Sequence, residues 1–180
     1  MIRFETRDDL IGTLPKGMIV SEIGVFKGEF SEKLLTKINP KELHLIDIFE
    51  GMVPSGDKDG NNMVYADLGN EFKLLSEKYD KNPIVKLHKG FSYNVLINFE
   101  DDYFDMIYID GDHSYEGVAK DLELSRNKIK NVGYICGHDY TIDKFPGVVR
   151  AVNEFVDKYG LEIQSITEDG CPSFCIQNKK

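Results

Sequence analysis

Residues 104–117 read FDMIYIDGDHSYEG. Phe104, Met106, Ile107, Tyr108 and Ile109 make an almost continuous apolar run with β-branched and aromatic residues, as in a strand buried on both faces. The run stops at Asp110-Gly111-Asp112-His113-Ser114. Two carboxylates, an imidazole and a hydroxyl therefore fall together where the strand ends. A helical pattern follows, with Val118, Leu122 and Ile129 on one face. In an open α/β sheet the carboxyl ends of the strands line the ligand crevice, so the cluster points to a site. Asp112 or Ser114 as a plain helix cap is the competing explanation. Two carboxylates around a glycine, with a histidine beside them, exceed what a cap needs.

Upstream, MIVSEIGVF at 18–26 has the same buried-strand composition and runs into a turn with Gly24 and Gly28. A helix follows with Phe30, Leu34, Leu35 and Ile38 on one side, and Asn39-Pro40 ends it. Gly24 permits a tight turn, and Gly28 permits close approach to a ligand or to the sheet. The spacing is E-x-G-x-x-x-G rather than the dinucleotide G-x-G-x-x-G, and by itself it is a weak motif. The next strand, 43–48, carries Asp47, which lies 23 positions after Gly24. An acidic residue about 20 positions on binds ribose hydroxyls in nucleoside-binding α/β folds, and a carboxylate can accept both hydrogen bonds of a diol.

The 180 residues fit one domain, 1–180, with 41% hydrophobic and 29% charged residues. The net charge of −9 argues against a nucleic-acid partner, which needs a basic footprint. Cys136, Cys171 and Cys175 make no even disulfide framework, and thiols in a reducing compartment are expected. MIRFETRDDLIG lacks a signal-peptide core and no apolar run reaches a membrane span. A cytoplasmic location is therefore expected, with no membrane partner.

Residues 49–69, rich in Gly, Asn and acidic residues, read as a long connection serving as a lid or acceptor loop. DKDGNN within it fails as a calcium loop because Leu68 stands where the glutamate is needed. A helix is expected over 70–79 and a strand over 84–88. Lys89-Gly90-Phe91-Ser92 is another strand-to-helix corner, where Ser92 either faces a ligand or caps the helix. The segment 132–140, VGYICGHDY, reads as a strand ending at His138-Asp139-Tyr140. Adjacent parallel strands would bring His138 and Asp139 to Asp110 and Asp112. A helix with Val149, Val152, Phe155, Val156 and Tyr159, then strands at 162–167 and 173–177, close the chain. The alternation predicts a doubly wound, Rossmann-like α/β sheet of seven strands, mostly parallel, with an antiparallel last strand.

With these residues in view, the chain resembles class I S-adenosylmethionine-dependent methyltransferases. It is most similar to the small-molecule O-methyltransferase group that includes macrolide- and novobiocin-type sugar methyltransferases and cephalosporin-hydroxylase-like proteins. The matching stretches are EIGVFKGEFS at 22–31, Asp47, Gly90-Phe91-Ser92, IDGDHSYEGVAKDL at 109–122 and GHDY at 137–140. The resemblance implies S-adenosyl-L-methionine as cofactor. Glu22, Gly24 and Gly28 would surround its methionine part, with Ser31 and Asp110 also among the cofactor-binding positions. Asp47 would bind the ribose, and Ser92 would lie near the adenine. In metal-dependent relatives the positions of Asp110, His138 and Asp139 hold a divalent cation, such as Mg²⁺ or Mn²⁺. Here His138 replaces a carboxylate, and a nitrogen ligand suits Mn²⁺, Fe²⁺ or Zn²⁺ better than Mg²⁺. A metal-free centre with His138 as base stays open.

The implied reaction is methylation of a small-molecule hydroxyl, with Asp112, His113 or His138 taking the proton. Two alternatives remain. An NAD-type oxidoreductase shares the sheet and the ribose acid, but not the glycine spacing or the acidic strand ends. A non-catalytic nucleoside-binding module would lack the acceptor pocket. The expected partner is a small-molecule acceptor, with a homo-oligomer left open.

Overall fold

In a computed structural model, residues 1–56 and 63–180 of the chain are described. The first elements are β1 (Ile2–Phe4), α1 (Arg7–Gly12), β2 (Ile19–Ile23), α2 (Glu29–Ile38) and β3 (Glu42–Asp47). Next come β4 (Met52–Gly56), β5 (Met63–Asp67), α3 (Leu68–Tyr79), β6 (Val85–Lys89) and α4 (Ser92–Leu96). The chain continues through β7 (Phe104–Ile109), α5 (Tyr115–Lys128), β8 (Ile129–Gly137) and α6 (Pro146–Tyr159), and ends in β9 (Ile163–Thr167) and β10 (Phe174–Gln177).

The continuous apolar runs become the middle of the sheet because both faces are covered. Alternate side chains of a strand point to opposite faces. On β7, Met106 and Tyr108 enter the core shared with Leu10, Phe30 and Leu34 from α1 and α2. Ile107 and Ile109 enter the opposite core, with Val118 and Leu122 of α5 and Val152 and Phe155 of α6. Fully burying such a side chain contributes roughly 1.5–3 kcal/mol, so the patterning fixes which strands are central.

The main sheet runs β1-β9-β10-β8-β7-β2-β3-β6. It has eight strands, not the seven expected. Ile2–Phe4, for which the sequence pattern predicts no strand, adds as a parallel edge beside β9. Three residues with an exposed face leave no periodicity to detect. β10 runs antiparallel to both neighbours and lies inside the sheet, between β8 and β9. The other ladders are parallel. β2 pairs with β3 on one side and β7 on the other, so the winding reverses there. Ligands bind in the crevice outside the strand ends at such a switch point.

Other local expectations change. Ile129 opens β8 instead of extending α5, and β8 ends at Gly137, leaving His138–Tyr140 in the following loop. Val148, not Val149, is the buried valine of the first turn of α6. The long connection over 49–69 contains a two-stranded antiparallel ribbon, with Met52 opposite Asp67 and Gly56 opposite Met63. The DKDGNN segment lies outside the described residues. Cys136 and Cys175 face each other across β8 and β10 as free, buried thiols.

The two glycines of the first turn have different neighbours. A Cβ on Gly24 would lie 2.1 Å from the Asp110 carbonyl oxygen and 2.7 Å from Gly111 Cα, and φ there is +86°. Gly24 therefore serves the crossing of two loops at the switch point. At Gly28, φ is +74° and a Cβ would lie 2.7 Å from the Leu75 side chain. Its lack of a side chain makes room for α3. Gly24→Ala is expected to lower unfolding free energy by on the order of 3–5 kcal/mol, from strain plus overpacking. Gly12→Ala, which meets nothing within 4 Å, should leave stability unchanged or slightly raised. Urea unfolding of the two variants measures the contrast, and equal losses would remove the loop-crossing explanation.

Candidate active site

The ends of β7, β2, β3 and β6 lie side by side and open into a cleft of about 560 Å³. Its wall includes Gly24, Asp47, Ser92, Asp110, Asp112 and His113. Six of the residues expected in the site from sequence therefore reach one cavity.

Asp47 does structural work there first. Its Oδ2 accepts from the backbone N–H of Val25 at 2.8 Å and Phe26 at 3.0 Å, and its Oδ1 from Phe49 at 2.9 Å. These bonds hold Phe26 at φ +52°, an uncommon conformation for a non-glycine residue. An ionised carboxylate offers about four lone-pair sites, so Asp47 retains acceptor capacity on the cleft wall.

Glu22 and Ser31 are placed otherwise. Both are buried, neither lines the cleft, and the Ser31 hydroxyl donates to Glu22 Oε2 at 2.5 Å. They support the turn from behind. Burial pushes the Glu22 carboxyl up to about 8, against the Ser31 hydrogen bond, which favours its charge. Gly28 is also absent from the cleft wall.

Ser92 is the first residue of α4, and its side chain caps nothing. Its hydroxyl donates to Asp121 Oδ1 at 2.5 Å. Asp121, not identified from sequence, is buried on α5 and also lines the cleft. A signal existed: it shares the buried face with Val118, Leu122 and Ser125, so it is a charge on an apolar stripe. Ser114 caps α5, accepting from Gly117 N–H at 3.1 Å, as the simpler explanation had it. Asp112 Oδ1 accepts from Ser114 N–H at 2.8 Å and leans over the first turn of α5, where only a glycine at 117 leaves room.

Behind His113 lies a compact charged group. His113 Nε2 is 2.8 Å from Asp139 Oδ2 and 3.9 Å from Asp110 Oδ1. His138 Nδ1 is 3.4 Å from Asp110 Oδ1 and 3.5 Å from Asp139 Oδ1. The His138 backbone N–H donates to Ile109 O at 3.0 Å, which extends the β7–β8 register into the loop. The Asp110 and Asp139 carboxylates raise His113 to about 10. Burial disfavours the charge of His138, but the same two carboxylates prevail and raise it to about 9. Burial likewise opposes ionisation of Asp110 and Asp139, yet the two imidazoles hold both carboxyls below their usual range. Arg7, from the first turn of α1, reaches Asp110 Oδ2 at 3.3 Å. Sequence reasoning misses it, since a lone arginine 103 positions away carries no local signal.

Ligand atoms of Asp110, His113 and Asp139 lie within 4.8 Å of one another. The metal set expected from sequence is Asp110, His138 and Asp139. In the structure His113 completes the convergent set and His138 adjoins it. Two carboxylate oxygens and one imidazole nitrogen fit a divalent first-row metal better than Mg²⁺.

Comparison with known proteins agrees with this geometry. The family model described as a methyltransferase domain matches residues 21–140. The fold is similar to precorrin-6y C5,15-methyltransferase of Geobacter metallireducens, with a TM-score of 0.65, 12% identity, and coverage of 96% of this chain and 87% of that one. It is similar to the N-methyltransferase NodS of Bradyrhizobium japonicum, with a TM-score of 0.63, 14% identity, and coverage of 97% and 95%. It is also similar to Aeropyrum pernix fibrillarin, solved with natively bound S-adenosyl-L-methionine, with a TM-score of 0.64, 14% identity, and coverage of 94% and 72%. Sequence comparison with curated proteins gives no match.

Glu22 yields a pH test. Its folded pKa is raised from 4.5 to about 8. Its contribution to stability is therefore complete below pH 4.5 and is lost as pH climbs through about 8. Glu22→Gln keeps the shape and an acceptor for Ser31 but does not titrate. Its advantage over wild type should be small at pH 5 and grow by at most about 1.4 kcal/mol per pH unit up to pH 8. Chemical unfolding across pH checks this, and a difference flat with pH would contradict the assignment.

Proposed function

The chain belongs to the methyltransferase-domain family, and from that premise we propose that it is an S-adenosylmethionine-dependent O-methyltransferase acting on a small-molecule hydroxyl. One observation carries the proposal. Asp110 and His113 line the cleft and also belong to the convergent Asp110–His113–Asp139 group. A donor pocket and a proton-handling centre thus share one loop.

The residues divide the work. Gly24 and the backbone it crosses form the wall beside the methionine part, and Asp47 offers its remaining lone pairs to a ribose diol. S-adenosylmethionine supplies, when bound, a methyl group already made electrophilic by its sulfonium. The protein then has to orient an acceptor oxygen and accept its proton. His113 is the imidazole on the cleft wall, so it is the group placed to meet the acceptor. Asp112 lines the same cleft, and His138 faces the same two carboxylates.

Asp110, His113 and Asp139 would hold a divalent cation, whose chemistry there is to lower the pKa of an acceptor hydroxyl. The pKa of His113 favours this version. At about 10, the imidazole stays protonated near neutrality and cannot act as a base while both carboxylates face it unshared. A metal-free version is favoured by Arg7, which already occupies Asp110 Oδ2. The two differ in pH dependence: without a cation, turnover should climb with pH toward about 10 as His113 loses its proton.

The net charge of −9 supports a small-molecule acceptor over a nucleic acid. No described helix is long and apolar enough to cross a membrane. A cytoplasmic enzyme, with a homo-oligomer as its open assembly state, completes the proposal.

S-adenosylhomocysteine should raise the melting temperature and NADH should not; the reverse result would favour an oxidoreductase. Asp47→Asn should weaken S-adenosylhomocysteine binding about tenfold, one lost charged hydrogen bond. In a methyl-transfer screen over phenols and sugars, Asp110→Ala should lower turnover at least about 100-fold, with binding of S-adenosylhomocysteine changed far less. Mn²⁺ should restore turnover removed by EDTA. EDTA without effect, together with a rate rising to pH 10, selects the metal-free centre.

A further inference from the structure

The three members of the Asp110–His113–Asp139 group are not held equally. Asp110 follows β7 directly and its backbone N–H donates to Ile23 O at 2.7 Å, so sheet register places it. Asp139 has a left-handed backbone, with φ +60°. Its carbonyl accepts from Thr141 N–H at 2.8 Å, and the next residue, Tyr140, donates its N–H to Pro172 O at 2.8 Å. The side chains of Asp110 and Asp139 are 20% and 7% exposed, whereas that of His113 is 42% exposed. His113 lies in the loop between β7 and α5, and Asp139 meets its Nε2 at 2.8 Å. One such contact fixes a point on the ring and leaves the ring plane free to turn about it.

The plane matters because the proton or lone pair of a ring nitrogen lies in it. The direction in which His113 can meet an acceptor or ligate a cation follows the tilt of the ring. A productive site tolerates errors of only about 0.5 Å and about 10–20°. The second contact comes from the start of α6. There Phe145, half-buried, packs its ring on that of His113, with the centroids 4.7 Å and the planes 40° apart. Aromatic pairs at such separations attract. Phe145 is itself fixed: its N–H donates to Thr141 O at 2.9 Å, and its carbonyl accepts from Val148 N–H at 3.1 Å. Two residues on, a Cβ at Gly147 would lie 3.0 Å from the His113 carbonyl oxygen and 2.8 Å from Tyr115 N. The first turn of α6 is thus pressed against the backbone of the His113 loop, and Phe145 against its ring.

We propose that Phe145 is a positioning residue, which sets the plane of the His113 imidazole and so the direction in which it faces the acceptor. The kinetic part of this inference rests on the proposed function, whereas the ring contact can be read without turnover. Phe145 does not line the cleft, so its effect on methyl transfer has to pass through His113. That dependence separates positioning from general support of the fold.

The test is the kinetics of Phe145→Ala and Phe145→Tyr, each with and without His113→Ala, together with proton NMR of the His113 ring. Phe145→Ala should lower kcat about tenfold or more, with the KM for S-adenosylmethionine changed less than about twofold. Phe145→Tyr keeps the ring and should retain at least about a third of kcat. Added to His113→Ala, Phe145→Ala should cost less than about twofold more, because the group it positions is gone. The same loss in both backgrounds overturns the proposal, as does a loss expressed in KM. In wild type the His113 ring protons should be displaced by the ring current of Phe145. They should move in Phe145→Ala and return in Phe145→Tyr, and resonances unmoved by Phe145→Ala overturn the proposal with no turnover needed. Wild type that transfers no methyl group fails the proposed function, and the resonances alone then decide the contact. Thermal unfolding verifies that the variants fold. Should Phe145→Ala not fold, Phe145→Leu, which fills the space without a ring face, takes its place in each comparison.

Discussion

The molecule depends on a contact between two backbones with no side chain between them. At the reversal of the sheet, Gly24 lies against Asp110 and Gly111 at a separation no Cβ could share. The ladder bonds continue past the strands at this point. Asp110 N–H donates to Ile23 O at 2.7 Å, and Gly24 N–H donates to Ile46 O at 2.9 Å. Two loops that would otherwise move independently are thereby tied to three strands. This contact sets Asp110 at the cleft wall, and the His138 backbone bond to Ile109 sets the second charged loop beside it. The position of the chemistry is a consequence of sheet register before it is a consequence of any side chain.

Charge placement on that frame separates two histidine pairs. The chain has four histidines, in two pairs. His44 and His88 contact each other at 3.0 Å, with their rings stacked, among Phe99, Tyr103 and Phe104. Burial lowers both, His44 to about 4, even though Glu42 lies beside it. His113 and His138 stand between two carboxylates and are raised instead. Both pairs are perturbed, so perturbation alone does not mark a site. The first pair is enclosed by aromatic rings, whereas the second opens on a cavity through His113.

What can be read in the sequence follows from how local each cause is. β7, β2 and β3 are legible because two-sided burial demands an apolar run. Asp47 and the Asp110–His113 cluster are legible because strand ends carry function in this topology. β1 is not, because its pairing with β9 joins residues over 160 positions apart. Arg7 is hidden for the same reason. Glu22 and Gly28 stand out in the sequence as constrained, and in the structure the neighbours that meet them are Ser31 and Leu75. A motif-like spacing says that space is restricted at a position; it does not say by what. The exchange between His113 and His138 is a subtler case. Both sit near Asp139, and only the loop path after β7, with Asp112 bonded to Ser114, turns His113 toward the cleft.

Glu22 and Asp121 show one arrangement placed behind the cleft wall and on it. Each is a buried carboxylate, each takes a serine hydroxyl at 2.5 Å, and burial raises each. By side-chain chemistry they are the same device. Glu22 lies behind the wall, buried and off the cleft, with the Ser31 hydroxyl bonded to its Oε2. Asp121 lies on the wall and lines the cleft, with Ser92 bonded to its Oδ1. Folding alone would be served by an apolar residue at position 121, since replacing a buried charge by a packed hydrophobe is often neutral or stabilising. The charge on that stripe is therefore not a requirement of the core beneath it.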